Sequence, residues 1–192
     1  LSIRKGDWVA VEGEKSGHDL GKVTSTGDIV ALQMKRKNKI KEKIKLKKIY
    51  RLATDLDMQK WRNATKKEHE ILKKSRKIVD EFKLDMKISD VEFQGDSTKA
   101  TFYYTAEKRV DFRELIKEYS RQFNIRVEMR QIGVRQEAAK IGGLGSCGRE
   151  LCCSTWMTEF PSVSTSAARY QQLSINPQKI SGQCGRLKCC LN

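Results

Sequence analysis

Met86-Lys87-Ile88-Ser89-Asp90-Val91-Glu92-Phe93, a Gln94-Gly95-Asp96 break, and Lys99-Ala100-Thr101-Phe102-Tyr103-Tyr104-Thr105 are the residues on which the fold turns. Both runs alternate apolar with polar residues, are rich in β-branched and aromatic side chains, and flank a glycine-centred turn, so they predict a β-hairpin. Upstream, Asp55 to Phe82 has a helical period, with Met58, Trp61, Ala64 or Thr65, Glu68, Leu72, Ser75, Ile78 or Val79, and Phe82 three or four apart and lysines on the other faces. Thr54 or Asp55 is placed to cap its start. Downstream, Asp111 is placed to cap a second helix carrying Phe112, Leu115, Ile116, Tyr119 and Phe123, and Ile125 to Arg130 then reads as a returning strand. The order helix, strand, strand, helix, strand predicts an α+β layer with its helices on one face of the sheet.

Residues 1–52 are expected to form a small β-rich module, with strands at Trp8 to Val11, Gly21 to Val23 and Ile29-Val30-Ala31-Leu32 separated by glycine turns. Residues 53–140 would make up the α+β domain, and residues 141–192 a loop-rich, cysteine-rich segment packed on it. Within the first module, residues 35–51 carry ten Lys or Arg and one acid, Glu42. Lys35, Arg36, Lys37, Lys39, Lys41, Lys43, Lys45, Lys47 and Lys48 are candidate nucleic-acid contacts, since lysines act as sequence-blind point charges along a phosphate backbone. An exposed edge strand protected by lysine is the competing reading. Phe102 and Tyr103 are poorer base-stacking candidates, because one of two adjacent strand residues faces the core. His18 and His69 read as surface or boundary residues rather than ligands.

The six cysteines sit in two copies of one pattern, Cys147-Gly148-Arg149-Glu150-Leu151-Cys152-Cys153 and Cys184-Gly185-Arg186-Leu187-Lys188-Cys189-Cys190, the second beginning 37 residues after the first (184 − 147). Clustered thiolates without neighbouring histidine favour zinc, an iron-sulfur cluster or copper(I) over hard cations. The four-residue gap matches structural zinc less well than iron-sulfur ligation. Cys147, Cys152, Cys153, Cys184, Cys189 and Cys190 are therefore the candidate metal ligands, with Arg149 and Arg186 placed either to offset thiolate charge or to hold the loops through salt bridges. One four-ligand site would leave two thiols over, and two such sites would need eight, so either some cysteines are structural or redox-active or a partner chain completes a shared centre. The glycines of Ile141-Gly142-Gly143-Leu144-Gly145-Ser146 are expected to let the backbone approach that centre and aim N–H groups at sulfur. No Gly-Lys-Ser/Thr follows them, which removes a phosphate-binding loop.

A formal charge of +15 calls for an acidic partner, with nucleic acid ahead of membrane because no basic stretch carries a strong apolar face with bulky anchors. No apolar run is long enough to span a bilayer, and the first twenty residues are not a signal peptide, so a soluble intracellular protein without membrane insertion is expected. There the cysteines would serve as metal ligands or a dithiol switch rather than a disulfide framework. Neither a histidine near the thiols nor paired carboxylates in a suitable site argue for catalysis.

Asp111-Phe112-Arg113-Glu114-Leu115, Arg130-Gln131-Ile132-Gly133-Val134-Arg135, both cysteine motifs and Asn176-Pro177-Gln178-Lys179-Ile180-Ser181-Gly182 resemble, in the same order, the RicT (YaaT) family. The likeness covers residues 84–192 closely, and Asp19-Leu20-Gly21-Lys22-Val23 resembles the family's N-terminal part. It implies a bacterial cytoplasmic, non-catalytic regulatory subunit that joins the small helical proteins RicA and RicF, its cysteines contributing to 4Fe-4S clusters. Such a complex acts as a redox-sensitive specificity factor for the endonuclease RNase Y in mRNA processing, with links to sporulation, competence and biofilm control. The run from Lys35 to Lys48 is more basic than that family leads one to expect. The chain opens on Leu1, and relatives continue past the last cysteine pair, so a piece of a longer protein is expected. The alternative function is a basic RNA-binding or ribosome-associated protein with structural zinc.

Overall fold

The structure, a computed structural model, describes residues 2–13, 17–36, 46–157 and 159–191. The fold is α+β and divides into two compact units, Leu1–Arg130 and Gln131–Asn192.

The first unit begins with strands β1 (Trp8–Glu12) and β2 (His18–Lys22), paired antiparallel with Ala10 opposite Leu20. The expected third strand over Ile29 to Leu32 is instead helix α1, Asp28–Arg36. The four consecutive apolar residues imitate a buried strand, but Asp28 lies in the first helical turn and the left-handed Gly27 reverses the chain just before it. Ile29 and Leu32 are 58% and 64% exposed, so this run never enters a sheet core. The third strand is β3 (Ile49–Leu52), which pairs with the other edge of β1 across a register shift at Ala10/Val11.

Helix α2 (Asp55–Glu81) follows at once. Its start is a capping box: the Thr54 hydroxyl accepts the Asp57 N–H, and the Asp57 carboxylate accepts the Thr54 N–H at 2.9 Å. The same carboxylate pairs with the guanidinium of Arg51 in β3, which ties the small sheet to the long helix. The indole rings of Trp8 and Trp61 meet 5.0 Å apart and reinforce that joint.

The hairpin forms as expected. Strand β4 (Lys87–Phe93) pairs antiparallel with β5 (Lys99–Thr105), and β6 (Arg126–Gln131) completes a sheet in the order β4-β5-β6. On β5 every second residue is buried, namely Ala100, Phe102 and Tyr104. On β4 the inward residues Ile88 and Val91 are three apart, and an irregularity between Ile88 and Asp90 absorbs the extra residue. Helix α3 (Arg113–Phe123) ends at left-handed Asn124. Asp111 does not occupy its cap position, which Phe112 takes, but the Asp111 carboxylate accepts the Arg113 N–H from just outside.

Ile78 and Val79 of α2, Leu115 and Tyr119 of α3, and the inward residues of β4 and β5 form one core, so both helices pack on the same face of the sheet. Phe102 stacks on Tyr119 with centroids 4.7 Å apart, and the buried Tyr119 hydroxyl donates to the Ser75 carbonyl at 2.8 Å. Where the hairpin turn meets the first sheet, Gly95 N–H donates to the Asp19 carboxylate, and a Cβ at Gly95 would stand 2.6 Å from the Leu20 backbone nitrogen. Only glycine permits that approach.

The second unit contains α4 (Val134–Ile141), α5 (Cys152–Thr155), α6 (Thr165–Tyr170), α7 (Pro177–Ile180) and a 3-10 turn at Cys189–Leu191. Its small core is Ala168, Ile180 and Leu191, with Val163, Ala167 and Leu187 packed against it. Among the described residues no helix is long and apolar enough to cross a membrane.

Candidate metal centre

The sequence repeat is also a backbone repeat. In the first copy, Gly145 N–H donates to the Arg149 carbonyl at 2.8 Å, Gly148 N–H to the Gly145 carbonyl at 3.0 Å, and Leu151 N–H to the Gly143 carbonyl at 3.0 Å. In the second, Gly182 bonds Arg186 at 2.8 Å, Gly185 bonds Gly182 at 3.0 Å, and Lys188 bonds Ile180 at 2.9 Å. Each bond recurs at the 37-residue offset, as do the bridges between Leu144 and Glu150 and between Ser181 and Leu187. Both turns require a left-handed residue after the first cysteine, and Gly148 at φ +77° and Gly185 at φ +73° supply it.

Gly145 and Gly182 have a different duty. A Cβ at Gly145 would lie 3.5 Å from Cys147 Sγ, and one at Gly182 would lie 3.8 Å from Cys184 Sγ, so each thiol folds back over a glycine. The N–H groups of Gly145 and Gly142 bond the backbone carbonyls of Arg149 and Ala138, so they do not aim at sulfur as expected; the turn and the end of α4 take them instead. Local sequence sets the approach to each turn. Before the second, the Asn176 side chain accepts the Gln178 N–H at 3.0 Å and Pro177 occupies the first turn of α7. After the first, Leu151 leads into α5, so Cys152 and Cys153 open a helical turn, and α4 packs against it.

The two turns face a common cavity of about 450 Å³ whose wall includes Cys147, Cys152, Cys153, Cys184, Cys189 and Cys190. All six are free thiols; Cys147 and Cys190 are exposed and the other four half-buried. Burial pushes the Cys189 thiol up from its ordinary value and the neighbouring Cys152 adds to the rise, while Arg135 opposes it. Arg135, on α4, belongs to the cavity wall: its guanidinium donates to the Leu187 carbonyl at 3.3 Å and lies over the Phe160 ring, 5.4 Å from its centroid. It thus joins α4 to the second turn. Sequence reading overlooked it, although it closes the segment that runs from Arg130. Arg149 and Arg186 are exposed and are not among the residues that line the cavity; their carbonyls close the turns.

Among the described residues, no group of three or more His, Cys, Asp or Glu is arranged to hold a single metal ion. The donor set is nonetheless that of a soft-metal site, with six thiols and no imidazole on the wall. A cavity of this volume, many times the roughly 30 Å³ share of one water, suits a group larger than one ion. The residues fit a thiolate-held group in donor chemistry, and among the described residues they do not form a single-ion cage.

The candidate nucleic-acid contacts are only partly described. Lys37, Lys39, Lys41, Lys43 and Lys45 lie outside the described residues, as does the side chain of Arg36. Lys35 and Lys48 are exposed, and Lys47 lies 3.9 Å from the Asp19 carboxylate. Phe102 is fully buried, and Tyr103 donates to Glu92 at 2.7 Å on the opposite face of the sheet.

Residues 47–132 match the family described as the PSP1 C-terminal conserved region, and residues 162–192 match the third domain of PSP1-like proteins. The stage 0 sporulation protein YaaT of Bacillus subtilis is 48% identical over 137 residues, covering 71% of this chain and 50% of YaaT. An uncharacterized protein of Schizosaccharomyces pombe is 27% identical over 149 residues, 67% of this chain and 20% of that protein. Protein PSP1 of Saccharomyces cerevisiae is 51% identical over 45 residues, 23% of this chain and 5% of PSP1. The chain thus spans half of the bacterial relative and a fifth or less of the fungal ones. No solved structure matches it. None of the three names denotes an enzyme. With matches to two successive PSP1 regions and this identity to YaaT, the chain belongs to the YaaT/RicT family of PSP1-domain proteins.

Proposed function

We propose that this protein is a non-catalytic regulatory subunit whose second unit contributes thiolates to a 4Fe-4S cluster held in a complex, and that the complex modulates mRNA processing by an endoribonuclease of the RNase Y type. The observation that carries the reading is the cavity of about 450 Å³ walled by all six cysteines from two backbone-matched turns. Small helical proteins of the RicA and RicF kind are the partners proposed to complete the ligand set, which agrees with half-buried thiols opening onto a concave face rather than enclosing an ion.

When bound, an iron-sulfur cluster supplies a redox-responsive charge at the joint between subunits. This chain's residues have simpler duties: Gly148 and Gly185 set the turns, Gly145 and Gly182 lie beneath Cys147 and Cys184, and Arg135 presents positive charge to Cys189. Anaerobic co-purification with the partner proteins, followed by iron and sulfide analysis, tests the reading. Iron and sulfide in near-equal amounts, lost when Cys152 and Cys189 are replaced by Ser, would support it; stoichiometric zinc without sulfide would favour a structural metal in an RNA-binding protein instead.

A further inference from the structure

The long helix α2 carries a charge pattern that the cysteine unit does not explain. Its buried side is Asp57, Ala64, Ser75, Ile78 and Val79. Around the opposite side, Arg62, Lys66, Lys67, Lys73, Lys74 and Lys77 are all exposed, and they span 16 residues, or about 22 Å along the axis at 1.5 Å rise per residue. Between them lie Asn63, His69 and one acid, Glu70, already paired with Lys74 at 2.7 Å. Arg62 with Lys66 and Lys73 with Lys77 are like charges four residues apart, an arrangement that weakens a helix. A solvated helix face ordinarily alternates acids with bases at that spacing. Here the cations stand together, in a chain already at +15.

We infer that this exposed face of α2 is a binding site for the phosphate backbone of RNA. Charge complementarity favours an anion, and the make-up of the face selects which one. Between Gln59 and Lys77 it presents no apolar side chain, whereas protein interfaces bury aromatic or aliphatic anchors at their centre. Five lysines and one arginine at helical spacing act as point charges for a ligand with a regular row of charges, which describes a polynucleotide. Affinity at such a site comes from counterion release and is blind to sequence. The residues of this site are not those of the lysine-rich sequence over 35–48, and the inference does not depend on the cluster reading.

The test uses the full chain and a fluorescein-labelled 20-nucleotide oligouridylate, with binding followed by anisotropy from 50 to 300 mM salt. The variant K66Q/K67Q/K73Q/K74Q removes exposed charge and the exposed Lys74–Glu70 pair, and its circular dichroism verifies the fold. It is expected to bind at least tenfold more weakly at 50 mM salt, with the log-log salt slope reduced by about 0.7 for each phosphate no longer neutralised. Iron loading should be unchanged, so failure here and failure of the cluster proposal are distinguishable. A second variant, K39Q/K41Q/K43Q/K45Q, serves as a charge-matched comparison. The inference is overturned if the two variants weaken binding equally, as diffuse charge would, or if only the second does. It is also overturned if α2 substitution leaves RNA affinity unchanged while abolishing binding to polyglutamate, which would mark an acidic-protein site.

Discussion

Replacing Gly148 by Ala tests whether the cysteine turns are held by their left-handed backbone conformation. A Cβ at this position meets no atom within 4 Å, so the substitution creates no clash and its whole effect is conformational. The residue sits at φ +77°, where an L-residue costs about 1–2 kcal/mol. That energy lowers the population of the closed turn, relative to opened forms, by roughly 5- to 30-fold. Amide hydrogen exchange read by mass spectrometry should show the peptide spanning 143–153 exchanging faster by that factor, because the Gly145 and Leu151 N–H bonds open together. The peptide spanning 180–190 should be unaffected. G185A should show the mirror result, and G148N a smaller effect, since Asn tolerates the left-handed region. G145A is the control: its φ is ordinary and its Cβ would make normal contact with Cys147 Sγ at 3.5 Å. Equal exchange in G148A and the parent protein, or acceleration of both turns by one substitution, would refute the picture of two independent, equivalent turns.

Tyr119→Phe removes the donor to the buried Ser75 carbonyl and should cost about 1–2 kcal/mol, read as a lower urea midpoint at unchanged slope. Gly95→Ala drives a Cβ against the Leu20 backbone and should destabilise the first unit by about 1–3 kcal/mol in the same assay, while the exchange of residues 180–190 stays as it was. The Arg51 guanidinium, with the Thr54 N–H and hydroxyl, holds the Asp57 carboxyl well below the usual carboxylate range. A depressed folded-state value contributes stability that is fully present above the unfolded value of about 3.9, begins to be lost as pH falls below it, and is gone once pH passes the folded value. Asp57→Asn should therefore flatten the fall in thermal midpoint between pH 5 and pH 3; an unaltered acid limb would count against this ion pair.

Periodicity sufficed where one face of an element is buried and the other is wet. The three- and four-residue spacing from Met58 to Phe82 located α2 within one residue at its C-terminus, and the alternation of Ala100, Phe102 and Tyr104 located β5. It failed at Ile29-Val30-Ala31-Leu32, because a short apolar run has the same signature in a strand and in a helix, and among the described side chains of this helix only Val30 and Met34 are half-buried. The cysteine repeat was legible as a pattern, and the offset of 37 residues carried over to hydrogen bonds, but the role of Gly145 and Gly182 beneath the thiols depended on side-chain direction that sequence does not give. Arg135 escaped notice for a related reason: it lies twelve residues before Cys147, and only the packing of α4 brings it to the cavity wall. Ligand counting alone leaves open whether some thiols are structural or a partner chain completes the centre; the structure adds that all six line one cavity and that, among the described residues, no three of them form a single-ion group.

The cysteine cavity is tested most directly by the iron and acid-labile sulfide content of the protein prepared without oxygen together with its partner proteins. Near-equal iron and sulfide, with a visible absorption band that vanishes when Cys152 and Cys189 are both replaced by Ser, is the predicted result. A colourless complex with stoichiometric zinc, or with no metal and six freely alkylated thiols, would contradict it.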